Sequence, residues 1–281
     1  MKVHLDCFPC FLRQSLIALR LGTNNASLQE TVLKSVLADI ENADTTKPPA
    51  HTTTFIHRRI RRMLGKDPFH EIKSEYNRKA LDLYPSLKKL VKKSSDPLWT
   101  ASRLAVAGNV IDFGIFTSID IEGAIAKALK NTFAEDVYPA FAESVHDADE
   151  IVYLLDNAGE IVFDRLLIET LIQSGKKIRS VVKGSPVLND ATITDANESG
   201  LGEICEVIEN GSDAVGTILE WTSPEFRKTF RDAQCIVSKG QGNFETLQGT
   251  GKNIFYLFQS KCDVLSQELG LSPGSMLLKK S

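Results

Sequence analysis

Three short segments carry residue types suited to one kind of chemistry. The first is Asp156-Asn157-Ala158-Gly159-Glu160, the second Lys183-Gly184-Ser185-Pro186 with Asn189-Asp190, the third Lys239-Gly240-Gln241-Gly242-Asn243-Phe244-Glu245. A hard divalent cation such as Mg²⁺ takes oxygen ligands, usually one or two carboxylates with water and substrate phosphate completing the shell. Asp156, the side-chain oxygen of Asn157 and Asp190 supply that set. Lys183 and Lys239 can neutralise phosphate oxygens as point charges, and Gly240 lets backbone N–H groups approach a phosphate closely. Gln241 and Asn243 lie in the same segment and join the candidate substrate contacts. Any one segment alone is ordinary, since Asp or Asn at a strand-to-helix turn is often only a helix cap. Three at one edge of one sheet are not.

The elements around them place them there. Apolar, β-branched runs at Ile151–Leu155, Ile178–Lys183, Cys205–Ile208, Cys235–Ser238 and Ile254–Phe258 read as strands. The stretch Ile161–Ser174 reads as an amphipathic helix ending at Gly175. Strands alternating with helices predict an α/β fold: a three-layer α/β/α arrangement with a mostly parallel sheet. Ligands in such sheets bind beyond the carboxyl ends of the strands, where all three segments fall. Residues 7 to about 148 read as helices instead, including Leu28–Ile40 and Ile72–Val91. Asp67-Pro68 and Asp96-Pro97 look like helix starts, and Asn42–His51 reads as a loop. The expected division is a helical N-terminal subdomain over 1–100 and a catalytic α/β/α domain over 101–281.

Asn109 and Asp112 lie three apart at the end of the helical part, on one face of a helix. Asn109 is a candidate wall of the site. Asp112 and Glu245 are candidates for the general base, because both fall in motifs.

The chain has 281 residues with 33 Lys and Arg against 36 Asp and Glu. A net charge of −3 gives no electrostatic footprint for nucleic acid. The basic run His57–Arg62 reads as a solvated helix face. No apolar stretch is long enough for a membrane span, and the N-terminus lacks a signal peptide's apolar core, so a cytoplasmic location is expected. Five cysteines, three of them isolated, fit reduced thiols better than a disulfide framework. Cys7-x-x-Cys10 is open among packing, metal and redox roles.

Taken in order, Cys7-x-x-Cys10, Gly108-Asn109-x-x-Asp112, Asp156–Glu160, Lys183-Gly184 with Asn189-Asp190, Gly211-Ser212-Asp213 and Lys239–Glu245 resemble the damage-control phosphatases, once catalogued as a domain of unknown function. The Cys-x-x-Cys is similar to that of the stand-alone microbial branch. The resemblance spans nearly the whole chain. It implies hydrolysis of phosphate monoesters of small metabolites with a divalent ion (Mg, Mn, Co or Ni), metal ligands at Asp156, Asn157 and Asp190, and phosphate contact by Lys239. A phospho-aspartyl route through Asp156 ranks second, because the usual acid two residues on is Ala158. The alternatives are a Rossmann-like nucleotide- or S-adenosylmethionine-dependent enzyme, or a non-catalytic phosphometabolite-binding protein.

Overall fold

The computed structural model describes residues 1–109, 121–134 and 137–281. Among the described residues, seven helices precede the sheet: α1 (Cys7–Gly22), α2 (Ala26–Glu41), α3 (Pro49–Leu64), α4 (His70–Lys93), α5 (Pro97–Gly108), α6 (Ile121–Lys130) and α7 (Tyr138–Asp147). Strands and helices then alternate: β1 (Glu150–Leu154), α8 (Glu160–Gln173), β2 (Lys177–Val182), α9 (Ile193–Glu198), β3 (Glu206–Glu209), α10 (Pro224–Asp232), β4 (Cys235–Lys239), α11 (Gln241–Leu247), β5 (Ile254–Gln259), α12 (Asp263–Glu268) and β6 (Met276–Lys280).

The sheet runs β3-β2-β1-β4-β5-β6. Its first five strands are parallel, and β6 pairs antiparallel with β5. The five expected strands are present to within a residue or so. The sixth was not expected, because Met276-Leu277-Leu278-Lys279-Lys280 is a short edge strand ending in two lysines. Edge strands are often blunted by such charges. Both faces of the sheet are covered. Ile151, Tyr153 and Leu155 pack with α5, α7 and α8, while Val152 and Leu154 pack with Phe226 and Phe230 of α10 and Phe244 and Leu247 of α11. Burial on two faces explains why these strands read as continuous apolar runs rather than alternating ones.

Helix α8 departs from the amphipathic pattern expected of it. It lies between the sheet and α4 and α5 and is buried around most of its circumference, Glu160 and Asp164 included. The close approach of α5 uses Gly108, where a Cβ would stand 2.8 Å from that of Phe163. Such a helix must satisfy its polar side chains internally.

The helical stretch divides between two cores. Helices α1 to α3 and Phe69 make one of their own, from Phe11, Leu19, Val32, Val36, Ile56 and Ile60. Helices α4 and α5 join the core on one face of the sheet. Asp96 does cap α5: its carboxylate accepts from Trp99 N at 2.9 Å, with Pro97 in the first turn. Asp67, by contrast, sits in a turn before α4. Its carboxylate accepts from Phe69 N (2.9 Å), and the helix begins at His70. The loop expected over Asn42–His51 is shorter, because α3 starts at Pro49.

The basic run is not a solvated face. His57 is buried, Arg59 pairs with Asp39, and Arg58 and Arg61 clamp Asp213 (Arg61 Nη2 to Oδ2, 2.5 Å). Helix α3 is wedged between α2 and the loop after β3, so Arg58, Arg59 and Arg61 have partners, while Arg62 is exposed as expected. No helix among the described residues is long and apolar enough to cross a membrane.

Candidate active site

The strand order reverses between β1 and β4, the switch point where open α/β sheets bind ligands. A cavity of about 370 Å³ opens there. Its floor is made by Asp156, Asn157, Asn189 and Asp190, and one side by Gln241 and Glu245. The other wall comes from α1 and the start of α3, so the helical part roofs the strand ends.

Two loops are stitched together on the floor. Ala158 N donates to Asn189 O (2.9 Å) and Ala191 N to Asp156 O (2.7 Å), which sets Asn157 opposite Asp190 in an isolated antiparallel bridge. Asn157 turns its Nδ2 to Asp156 Oδ2 (2.8 Å) and Glu160 Oε2 (3.0 Å). Asn109, which ends α5, does the same (3.1 and 2.9 Å), and its Oδ1 accepts from Gln259 N (3.1 Å). Amide orientation follows from this network. With its N–H groups spent on carboxylates, Asn157 offers its oxygen beside the Asp156 carboxylate. That carboxylate rests on the bare backbone of Gly240, where an added Cβ would lie 2.0 Å from Asp156 Oδ2. Gly240 has φ 82° and ψ 158°, a conformation essentially confined to glycine.

The two lysines do not line the cavity. Lys239, Glu160 and Asp164 are all 0% exposed. The Lys239 ammonium spends its three protons on Glu160 Oε1 (2.5 Å), Asp164 Oδ1 (2.7 Å) and Ala105 O (2.8 Å). Direct phosphate contact by Lys239 is therefore corrected to a role beneath the floor, since no donor remains for a ligand. Burial would lower its pKa, but the two carboxylates outweigh burial and keep it charged. Burial pushes Asp164 up, against the pull of Lys239, and Tyr153 donates its hydroxyl to the same carboxylate (2.8 Å). Lys183 is likewise buried, held by Asp190 (3.3 Å) and the Gly216 carbonyl, so its expected substrate contact is also corrected.

Among the remaining expected residues, Gln241 lines the cavity and donates to Glu245 Oε1 (2.7 Å). Burial pushes Glu245 up to about 7, although Gln241 and the Ala50 backbone donate to it. Asn243 is an internal brace, bonded to Lys239 O (2.8 Å) and Thr217 Oγ1 (2.7 Å), and does not line the cavity. Asp112 lies outside the described residues.

Three participants were not expected. Glu160 anchors both carboxamides, and its place in the motif was the available signal. Asn189 is buried in the floor with its Nδ2 lacking a hydrogen-bond partner among the described residues. Leu188 before it has φ 47°, uncommon for a bulky residue. Asn77 of α4 accepts from Gly159 N (2.6 Å) and donates to Asp195 (3.0 Å) and Glu198 (2.8 Å), holding the turn after Asn157. Nothing in its sequence setting marked it. Cys262 faces the same cavity as Cys7 and Cys10.

Among the described residues no three His, Cys, Asp or Glu side chains gather as metal ligands. The set on the floor is two carboxylates and a carboxamide oxygen, the donor type of a hard ion that keeps waters and substrate oxygens in its shell.

Fold and site together define a doubly wound α/β protein with an acid- and amide-lined ligand cavity at its switch point. The chain belongs to the damage-control phosphatase family, matching the "damage-control phosphatase ARMT1-like domain" over residues 3–277. It is 34% identical to a damage-control phosphatase of Archaeoglobus fulgidus, over 99% of each chain. It is 32% identical to one of Pyrococcus horikoshii, over 100% of this chain and 99% of the relative. A crystal structure of a DUF89 family protein from Pyrococcus horikoshii superposes with a TM-score of 0.87 at 30% identity, covering 100% of this chain and 99% of that one.

Proposed function

We propose that this protein is a divalent-metal-dependent phosphatase of small phosphorylated metabolites, acting in the cytoplasm. The observation that carries the proposal is the orientation of Asn157: both of its N–H groups are spent on Asp156 and Glu160, which turns its oxygen toward the role of a ligand beside the carboxylates of Asp156 and Asp190 on one floor. When bound there, a divalent ion supplies Lewis-acid stabilisation of a phosphoryl oxygen and lowers the pKa of a bound water.

The chain's own groups do the rest. Asn109 and Glu160 fix Asp156 and Asn157 in place before substrate arrives, so little reorganisation is needed during reaction. Asn189 Nδ2, without a hydrogen-bond partner among the described residues, is a donor for a phosphoryl oxygen. Glu245 can hold a proton near neutral pH at the cavity wall, the condition for protonating a leaving oxygen and later accepting a proton from water. A cavity of about 370 Å³ suits a single small metabolite.

The test is phosphate release from sugar phosphates, nucleotides and an aryl phosphate. The protein is treated with EDTA and then resupplied with Mg²⁺, Mn²⁺, Co²⁺ or Ni²⁺. Turnover restored by metal is the expected result. Folded protein that stays silent with every ion would overturn the proposal in favour of ligand binding without turnover.

A further inference from the structure

The proposed reaction leaves the Cys7-x-x-Cys10 motif unused, yet both cysteines face the cavity. They stand one turn apart at the start of α1, with Cys7 as its first residue. On helical geometry their Cα atoms are about 5 Å apart, inside the range a disulfide spans. Closing the bond needs the first turn to tighten, and that turn has no preceding helix to hold it. Cys7 is 8% exposed and Cys10 more so.

Cys7 already has neighbours that would feel it move. Its sulfur accepts from His4 N at 3.3 Å. Glu245 and Cys262 are both near enough to raise its pKa, adding to the larger effect of burial. Cys262 in turn accepts from Gln241 Nε2 at 3.5 Å, and Gln241 also holds Glu245. The motif is thus coupled to the wall that carries Glu245. The other two cysteines, Cys205 and Cys235, lie outside the cavity, and burial pushes Cys235 up to about 12.

We infer that Cys7 and Cys10 form a reversible dithiol–disulfide pair, oxidised by small-molecule disulfides, and that the oxidised form shuts down the phosphatase cavity. The more exposed Cys10 thiolate attacks one sulfur of the disulfide, forming a mixed disulfide and expelling one thiolate. Cys7 then attacks the Cys10 sulfur, gives up its proton to the medium and expels the second thiolate. Overall the two protein thiols lose two electrons and two protons, and one disulfide becomes two thiols. Drawing the Cys7 sulfur toward Cys10 takes it from His4 and reshapes the wall beside Glu245.

The activity claim rests on the phosphatase reading; the bond does not. Intact protein is incubated with excess oxidised glutathione, then assayed by whole-protein mass, peptide mapping and phosphate release. The expected results are loss of two hydrogens, a Cys7–Cys10 linked peptide, and a fall in kcat/KM of about tenfold or more, the scale of a misplaced cavity wall. Dithiothreitol should restore activity. Cys10→Ser, normalised to its own reduced activity, should be insensitive, whereas Cys235→Ser should respond as the parent does. A mixed disulfide that never resolves, a link to Cys262 instead, or a Cys7–Cys10 bond with activity unchanged would each overturn the inference. Mass reports the bond even if no phosphate is released, so failure of this inference and failure of the phosphatase assignment are separable.

Discussion

Replacing Gly240 with alanine should disable the site while leaving most of the fold. An alanine Cβ would lie 2.0 Å from Asp156 Oδ2, 2.2 Å from its Cγ and 2.6 Å from Oδ1. To reach even a tight contact of about 3.2 Å, the carboxylate must retreat by more than an ångström. It cannot do so alone, because Asn109 and Asn157 both hold Oδ2. The backbone conformation adds a strain on the order of 1–3 kcal/mol. A shift of this size in a positioning group costs about 100-fold in rate. The assay is kcat/KM on an aryl phosphate at saturating metal, beside a urea midpoint. We expect Gly240→Ala to lose about 100-fold or more in activity, and on the order of 1–3 kcal/mol in stability. Gly242→Ala is the control: its Cβ would meet Gly216 N at 3.2 Å, its nearest contact, so its loss should be much smaller. Activity of Gly240→Ala within about threefold of the parent would refute the claim that this contact positions Asp156.

Three further substitutions separate the layers of the site. Asp156→Ala should abolish metal-dependent turnover with an unchanged urea midpoint, since the side chain adds little to the core; full activity would remove it from the ligand set. Lys239→Met should act first on stability, by about 3–5 kcal/mol, because Glu160 and Asp164 are left as buried acids without their cation; an unchanged midpoint would contradict that pairing. Glu245→Gln tests the proton at the wall. The folded group titrates near 7 against a reference of 4.5, so between those values the folded state holds a proton that the unfolded chain has released. Stability should therefore rise as pH falls from about 7 to about 4.5, by up to about 3 kcal/mol, and that contribution is lost above 7. Glu245→Gln should flatten this slope and remove a limb near pH 7 from the rate profile; identical profiles would exclude both effects.

Much of this architecture was legible because strand ends announce themselves. Apolar runs buried on two faces carry a strong signal, and the polar residues after them inherit their position from the sheet. The position of Asp156, Asn157 and Asp190 at the strand ends, where they now line the cavity, was legible in that way. The lysines misled because a lysine after a strand is usually exposed, and only the tertiary arrangement shows Glu160 and Asp164 aimed at Lys239 from α8. Those two acids made α8 look amphipathic, when in fact their partner is buried with them. Asn77 was invisible, since its role depends on α4 crossing the turn at Gly159. Arg58 and Arg61 looked solvated because Asp213, their partner, lies far along the chain.

The strand order alone would support a different conclusion. The order β3-β2-β1-β4-β5-β6 is that of dinucleotide-binding sheets, and the cavity lies at the same switch point. Topology therefore does not separate the phosphatase from its Rossmann-like rival. The first turn after β1 does. A dinucleotide site puts glycines and helix N–H groups against a pyrophosphate. Here that turn presents Asp156, with the fully buried Glu160 behind it. An anionic ligand brought there meets Asp156 and Asp190 at the floor and Asp6 and Asp263 in the lining against Lys261, because Lys239 is spent on Glu160 and Asp164 and Lys183 on Asp190. A cation held by Asp156, Asp190 and the Asn157 oxygen would offset that repulsion. The same geometry predicts that phosphate-ester binding itself is lost with EDTA. A nucleotide bound equally well without metal would instead return the protein to the Rossmann-like class.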